Sequence, residues 1–158
     1  MHIHRISHYL YSLKIPILPI FFKWIIFLLY NSKIPPECSI GELSKFGHGG
    51  IGVVLHAECV IGDRVLIGQG VTIGGSFGSG VPKISSDVWI GPGARIFGDI
   101  RVGSNCVIGA NSVVTKNIPD NCVVGGVPAK IIKEIPVNSL DVINGRMKLA
   151  TSIISEMD

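Results

Sequence analysis

No acidic residue precedes Glu37 in this chain, charged side chains make up only 16% of its 158 residues, and aromatic ones only 7%. The formal net charge of +3 is mild, and no basic face is interleaved with aromatics, which excludes RNA or DNA as the expected partner. The four cysteines, Cys38, Cys59, Cys106 and Cys122, lie far apart with no CxxC pair. That spacing argues for reduced thiols in a cytoplasm rather than a disulfide framework. A membrane-spanning helix needs about 20 uninterrupted apolar residues. The longest candidate here is broken by Pro16, Pro19 and Lys23.

What the chain has in excess is glycine, 20 residues where an average composition of about 7% would give roughly half as many. Its hydrophobic content, 47%, is dominated by Ile and Val, the β-branched residues that favour strands. The length fits one domain with its own core. Within it, "VIGDRVLIGQGVTIGG" places Ile-Gly at 61, 67 and 73, always six residues apart. Neither the 3.6-residue period of a helix nor the 2-residue period of a flat strand produces this. The register extends to Leu55 and resumes at Ile84, Ile90, Ile96, Val102, Ile108 and Val114. Four residues after each aliphatic stands a small or branched residue, as at Cys59, Val65, Val71, Val88, Ala94, Cys106 and Ser112. Hexapeptide periodicity marks a parallel β-helix, with three short strands and three bends per 18-residue coil. The aliphatics stack inward, the glycines are expected to relieve tight backbone at the bends, and both ends need covering.

Two interruptions stand out, because loops on a rigid scaffold commonly carry the chemistry. About three residues are inserted around "GHGG" within Leu43 to Glu58, and five within "GGSFGSGVPK", which predicts a mobile loop thrown off the prism. His48 and His56, the two histidines of the repeat region, both fall in the first interruption. Core packing gives no reason for an imidazole in a glycine-rich insertion. A histidine with the ordinary pKa of ~6.5 can take a proton from an attacking alcohol.

With this repeat over roughly residues 34–132, the chain resembles the hexapeptide-repeat acyltransferases. The resemblance implies an all-β fold, a left-handed parallel β-helix with a short N-terminal helical segment, assembled as a homotrimer with active sites between neighbouring prisms. The longer strings "GHGGIGVVLHAECVIGD", "GVTIGGSFGSGVPKI", "GPGARIFGDIRVG", "IGANSVVTKNIPD" and "GGVPAKII" are similar to serine acetyltransferases and their relatives in polysaccharide gene clusters. That similarity implies acetyl transfer from acetyl-CoA to a hydroxyl, with His48 matching the general base (one extra residue intervening) and His56 the alternative. It further implies that Gly75, Ala94, Ala110, Lys116 and Lys130 line the path of the acyl donor, backbone for its thin arm and ammonium groups for its phosphates. No metal is implied, and an acyl-cysteine route is disfavoured because the register turns Cys59 inward.

Two departures shape the acceptor expectation. Serine acetyltransferases carry Asp before the catalytic His, where this chain has Gly47. They carry Arg-His before "PKI", where it has "GSGVPKI", leaving only Lys83 to meet an acceptor. By subtraction, a sugar hydroxyl of a surface polysaccharide or its lipid-linked precursor is expected, with L-serine in cysteine biosynthesis as the alternative. Two other classes stay open on the same fold. One is a zinc hydrolyase like the γ-type carbonic anhydrases, which needs three histidines and so would require the N-terminal histidines to reach over. The other is a non-catalytic trimeric scaffold.

Residues 1–36 form an apolar, basic helical segment, 37–135 the β-helix and 136–158 a tail expected as a poorly determined helix or loose end. Ile20 to Tyr30 is expected as a helix, apolar nearly all round. It either packs on the prism or a sister subunit, or lies as a monotopic anchor at the inner membrane face through residues 15–30.

Overall fold

A column of aliphatics six residues apart can stack only if the chain returns to the same place on each circuit. In the computed structural model, which describes residues 2–75, 78 and 80–137, it does so. Strands β1 (Ser39–Ile40), β4 (Val60–Ile61), β7 (Lys83–Ile84) and β10 (Arg101–Val102) make a first parallel face. The second face holds β2 (Lys45–Phe46), β5 (Leu66–Ile67), β8 (Val88–Ile90), β11 (Cys106–Ile108), β13 (Cys122–Gly125) and β14 (Lys130–Glu134). The third holds β3 (Val54–Leu55), β6 (Thr72–Gly74), β9 (Arg95–Phe97) and β12 (Val113–Val114). The solenoid is left-handed, against the usual rule for parallel crossovers.

Strand register turns the repeat into three columns: Ile40, Ile61, Ile84 and Val102; Phe46, Ile67, Ile90, Ile108 and Val124; and Leu55, Ile73, Ile96 and Val114. Nearly all of them are buried, as are Cys59, Val65, Val71, Val88, Ala94, Cys106 and Ser112 from the second slot of the repeat. Phe46 fills a column position that aliphatic counting alone passes over.

The glycines act differently from the expectation. Gly62, Gly68, Gly91 and Gly103, which follow column residues, have no positive φ. Their role is close approach: a Cβ on Gly68 would lie 2.6 Å from the Pro92 nitrogen, and one on Gly91 2.5 Å from the Ala110 nitrogen. The left-handed residues sit two or three positions further on. Leu43, Arg64, Asp87, Asn105 and Asn121 line the edge between the first and second faces, and Gly52, Gly70, Gly93 and Asn111 the edge between the second and third.

The apolar N-terminal segment forms two helices, α1 (His2–Ser12) and α2 (Leu18–Tyr30). The first lies within the expected helical segment, although the sequence does not mark it off as a helix of its own, and the second starts two residues earlier than expected because Pro19 stands in the first turn, where proline is tolerated. Both dock beside the first coil: His4 Nε2 donates to the Pro35 carbonyl, His8 Nδ1 to that of Pro36, and Ile26 joins the core. At the far end each face finishes on its own chain. Ile118 N–H bonds the Arg101 carbonyl, Val113 N–H that of Gly126, Ala129 N–H that of Val113, and β14 pairs antiparallel with β13. The tail from residue 138 lies outside the described residues.

Candidate active site

The three-residue insertion becomes a tight 3-10 turn, Gly47–Gly50, at the edge between the second and third faces. His48 stands in it with φ 47° and ψ 40°, followed by Gly49 and Gly50, also at positive φ. A left-handed histidine is uncommon and costs energy that surrounding structure must offset. The supports are Tyr30, whose ring would be 2.9 Å from a Cβ on Gly49, Phe46 beneath Gly50, and buried Ser32. Ser32 Oγ donates to the Gly50 carbonyl and accepts the Val53 N–H at 3.2 Å, while Gly52 N–H reaches the Tyr30 carbonyl at 3.0 Å. The end of α2 therefore props the turn from behind and leaves the His48 side chain exposed. Ser32, Tyr30 and Phe46 went unread in the sequence. Ser32 and Tyr30 precede the repeat, and Phe46 breaks its residue type.

His56 occupies a different edge. It follows β3, where the third face passes to the first, and the second interruption leaves the prism at this same edge one coil later. The two histidines thus flank β3 at opposite ends. His56 is exposed, and its Nδ1 accepts the Glu58 N–H at 3.2 Å, so in the neutral ring the proton sits on Nε2 and the free nitrogen is a donor. A general base needs a free lone pair, which favours His48. The N-terminal histidines His4 and His8 are held by the Pro35 and Pro36 carbonyls. Among the described residues no three His, Cys, Asp or Glu side chains converge as a metal-ligand set.

The remaining expected residues divide between these edges. Gly75 and Lys116 lie exposed at the His56 edge, and Lys83 opens β7 beside it, in register with Arg101 on the outer surface of the first face. Of the second loop, Ser76, Phe77 and Ser79 lie outside the described residues; its return is anchored by buried Pro82 and by Gly80 packed on Asp99. Ala94 and Ala110 stand on the His48 edge, in successive coils. Ala110 is exposed, whereas Ala94 is buried, its N–H donating to the Gly91 carbonyl and its carbonyl accepting the Thr72 N–H. Ala94 therefore packs and offers no free backbone group. Lys130 is exposed on β14, at the far end of the second face. One chain does not bring all these residues together; two edges separated by the third face carry them.

No cysteine is poised as a nucleophile here. Cys59 is buried with Sγ 3.6 Å from the Ile73 carbonyl, and burial pushes its thiol up to about 11. Desolvation raises Cys38 and Cys122 and takes Cys106 to about 11. A thiol so far above neutrality supplies almost no thiolate.

Comparison with known proteins agrees with this architecture. The family described as bacterial transferase hexapeptide (six repeats) matches residues 82–116. Serine acetyltransferase of Synechococcus elongatus is 37% identical over 132 residues, 82% of this chain and 54% of that protein. The Staphylococcus aureus enzyme of the same name is 39% identical over 134 residues, 83% of this chain and 62% of that one. Among solved structures, a serine acetyltransferase in complex with cysteine superposes with TM-score 0.81 at 33% identity, over 92% of this chain and 57% of that one. The Brucella abortus serine acetyltransferase in complex with coenzyme A gives TM-score 0.81 at 36% identity, over 85% and 55%. The chain spans a little over half the length of the relatives it matches.

Proposed function

Because the chain belongs to the hexapeptide-repeat acyltransferase family, we propose that it is an acetyl-CoA-dependent O-acetyltransferase that uses His48 as its general base. The observation that carries this reading is the 37–39% identity to serine acetyltransferases over more than four fifths of the chain, a span that includes every coil. Acetyl-CoA supplies an acyl group already activated as a thioester. His48, exposed and rigidly propped, takes the proton of the acceptor hydroxyl as its oxygen bonds to the acyl carbon, and returns that proton to the departing thiol. Such a base is worth ~10²–10⁴ in rate. The N–H groups of the Gly47–Gly50 turn are the nearest donors for charge that builds on the carbonyl oxygen. Ala110 and the side-chain-free backbone at Gly52 and Gly70 leave room along the same edge for an extended donor, while Lys116 and Lys130 offer point charges to phosphates.

For the acceptor, the names of the relatives favour L-serine over the sugar hydroxyl expected by subtraction. A sugar stays as second reading on one specific observation: Gly47 and "GSGVPKI" replace the groups with which serine acetyltransferases meet an amino acid, and Lys83 is a poor substitute for a bidentate clamp. Assembly as a homotrimer completes the proposal. Packed edge to edge, two prisms would set the His48 edge of one copy against the His56, Gly75 and Lys83 edge of the next.

The test is acetyl-CoA turnover, read by thiol release, with L-serine, nucleotide sugars and surface glycans as acceptors. Serine turnover is expected to lead. Turnover of glycans alone overturns that choice, and no turnover with any acceptor overturns the enzyme reading in favour of a scaffold. His48→Ala should lose at least 10²-fold with the fold intact, and His56→Ala less. The reverse ranking moves the base to His56.

A further inference from the structure

Among the described residues, one helix face has no partner. Ile17, Phe21, Trp24 and Leu28, spaced i, i+4, i+7 and i+11, point away from the buried Pro19 and Ile26 and are 74%, 58%, 56% and 79% exposed. Ile20 and Phe27 widen the stripe on one side. A contiguous apolar surface of this kind marks an interaction site. Around it lie Lys14 and Lys33, both exposed, and half-buried Lys23, while residues 1–36 hold no acid. Beside the stripe a cleft of about 220 Å³ has Trp24 and Phe27 as walls and Lys23 and Lys33 at its rim.

We propose that α2 docks the protein in the plane of an anionic lipid bilayer, its Ile17–Leu28 stripe among the acyl chains and its lysines at the headgroup phosphates. At 13 residues, α2 is about 20 Å long, short of the ~30 Å hydrocarbon core, and no helix among the described residues is long and apolar enough to cross a membrane. An interfacial helix with an apolar face, an indole and flanking cations suits the boundary instead. Charge decides between occupants. A second copy offering the same segment would bring Lys14, Lys23 and Lys33 against the same three lysines, with Glu37, beside Lys14 at the margin, as the one acid lining the adjoining cleft, whereas anionic headgroups complement this cationic excess. The proposal stands apart from the acetyltransferase reading, since neither the stripe nor its lysines belong to the candidate site, although Ser32, which props the His48 turn, also lines the cleft.

Flotation of the full chain with phosphatidylcholine vesicles, and with vesicles that also contain phosphatidylglycerol, tests it. The chain should float with the anionic vesicles and only weakly with the neutral ones. In a Trp89→Phe background, Trp24 is the sole indole, and its emission should move to shorter wavelength on binding. Phe21→Ser with Trp24→Ser and Leu28→Ser should abolish flotation, and each of Lys14→Glu, Lys23→Glu and Lys33→Glu should weaken it roughly fivefold or more. Should the triple variant fail to fold, Trp24→Ser alone and the charge reversals carry the same test. Absence of the wild-type chain from anionic vesicles overturns the proposal. So does a folded triple variant that floats unchanged, or one whose only change is a smaller oligomer by sedimentation velocity, which would assign the stripe to a contact between copies.

Discussion

His4 is 3% exposed, and its two nitrogens have different fates. A carbonyl only accepts, so the contact with Pro35 fixes the proton on Nε2, and Nδ1 is left buried with no hydrogen-bond partner among the described residues. Protonating Nδ1 would create an N–H with nothing to receive it. Desolvation accordingly lowers the pKa to about 4 from 6.5; the Pro35 bond opposes the shift, and His8 and Arg5 add to it. The unfolded chain then binds the extra proton first, so this group's contribution is complete above pH ~6.5 and is lost as pH falls toward 4. The loss is on the order of 3 kcal/mol. Denaturant unfolding followed from pH 7 to 4 should show it, and His4→Gln, which keeps a donor for Pro35 but cannot charge, should flatten the profile in that window. None of this was legible in the sequence, where His4 is one of several polar residues in residues 2–8 and its burial depends on a proline pair 31 residues away. His48 is the opposite case. Glycines on both sides and a break in the repeat marked it, although its left-handed backbone and its support by Ser32 needed coordinates.

At the scale of the coil, the six-residue period reveals which residues point inward but not why glycine follows them. Coils approach each other so closely at these bends that a single methyl would strike backbone, and backbone cannot swing aside as a side chain does. Gly91→Ala, with its Cβ 2.5 Å from the Ala110 nitrogen, is therefore expected to cost at or beyond the upper end of the roughly 1–3 kcal/mol typical of overpacking, measured by urea or thermal unfolding. The same reasoning explains what could be read at this scale. Strands, columns and insertions follow from a local rule repeated ten times, so they were visible. The bounds of helix α1 were not, because its most buried positions are His4 and Ser7, polar residues that no hydrophobic pattern reports, with Ile3 only partly buried against the core.

For the whole molecule, the division of the candidate residues between two edges has a direct consequence for subunit mixing. On the proposed assignment, His48→Ala chains lack the base but keep an intact Lys83 edge, and Lys83→Ala chains have the reverse. If each site is built from two copies, co-refolding the two inactive variants should restore a fraction of turnover that neither shows alone. Separately refolded and then mixed, they should stay inactive. Recovery by neither route would place the whole site on one prism.

The finish of the solenoid bears on how copies behave in crowded solution. An open ladder of parallel strands is a ready template on which another molecule could polymerise. Here the last rung of every face is already bonded within its own chain, to Ile118, to Gly126 and Ala129, and to a strand running the opposite way. An incoming first coil would find wrong polarity on one side and occupied donors on the others. Among the described residues, strand pairing at this end therefore disfavours end-to-end growth of filaments.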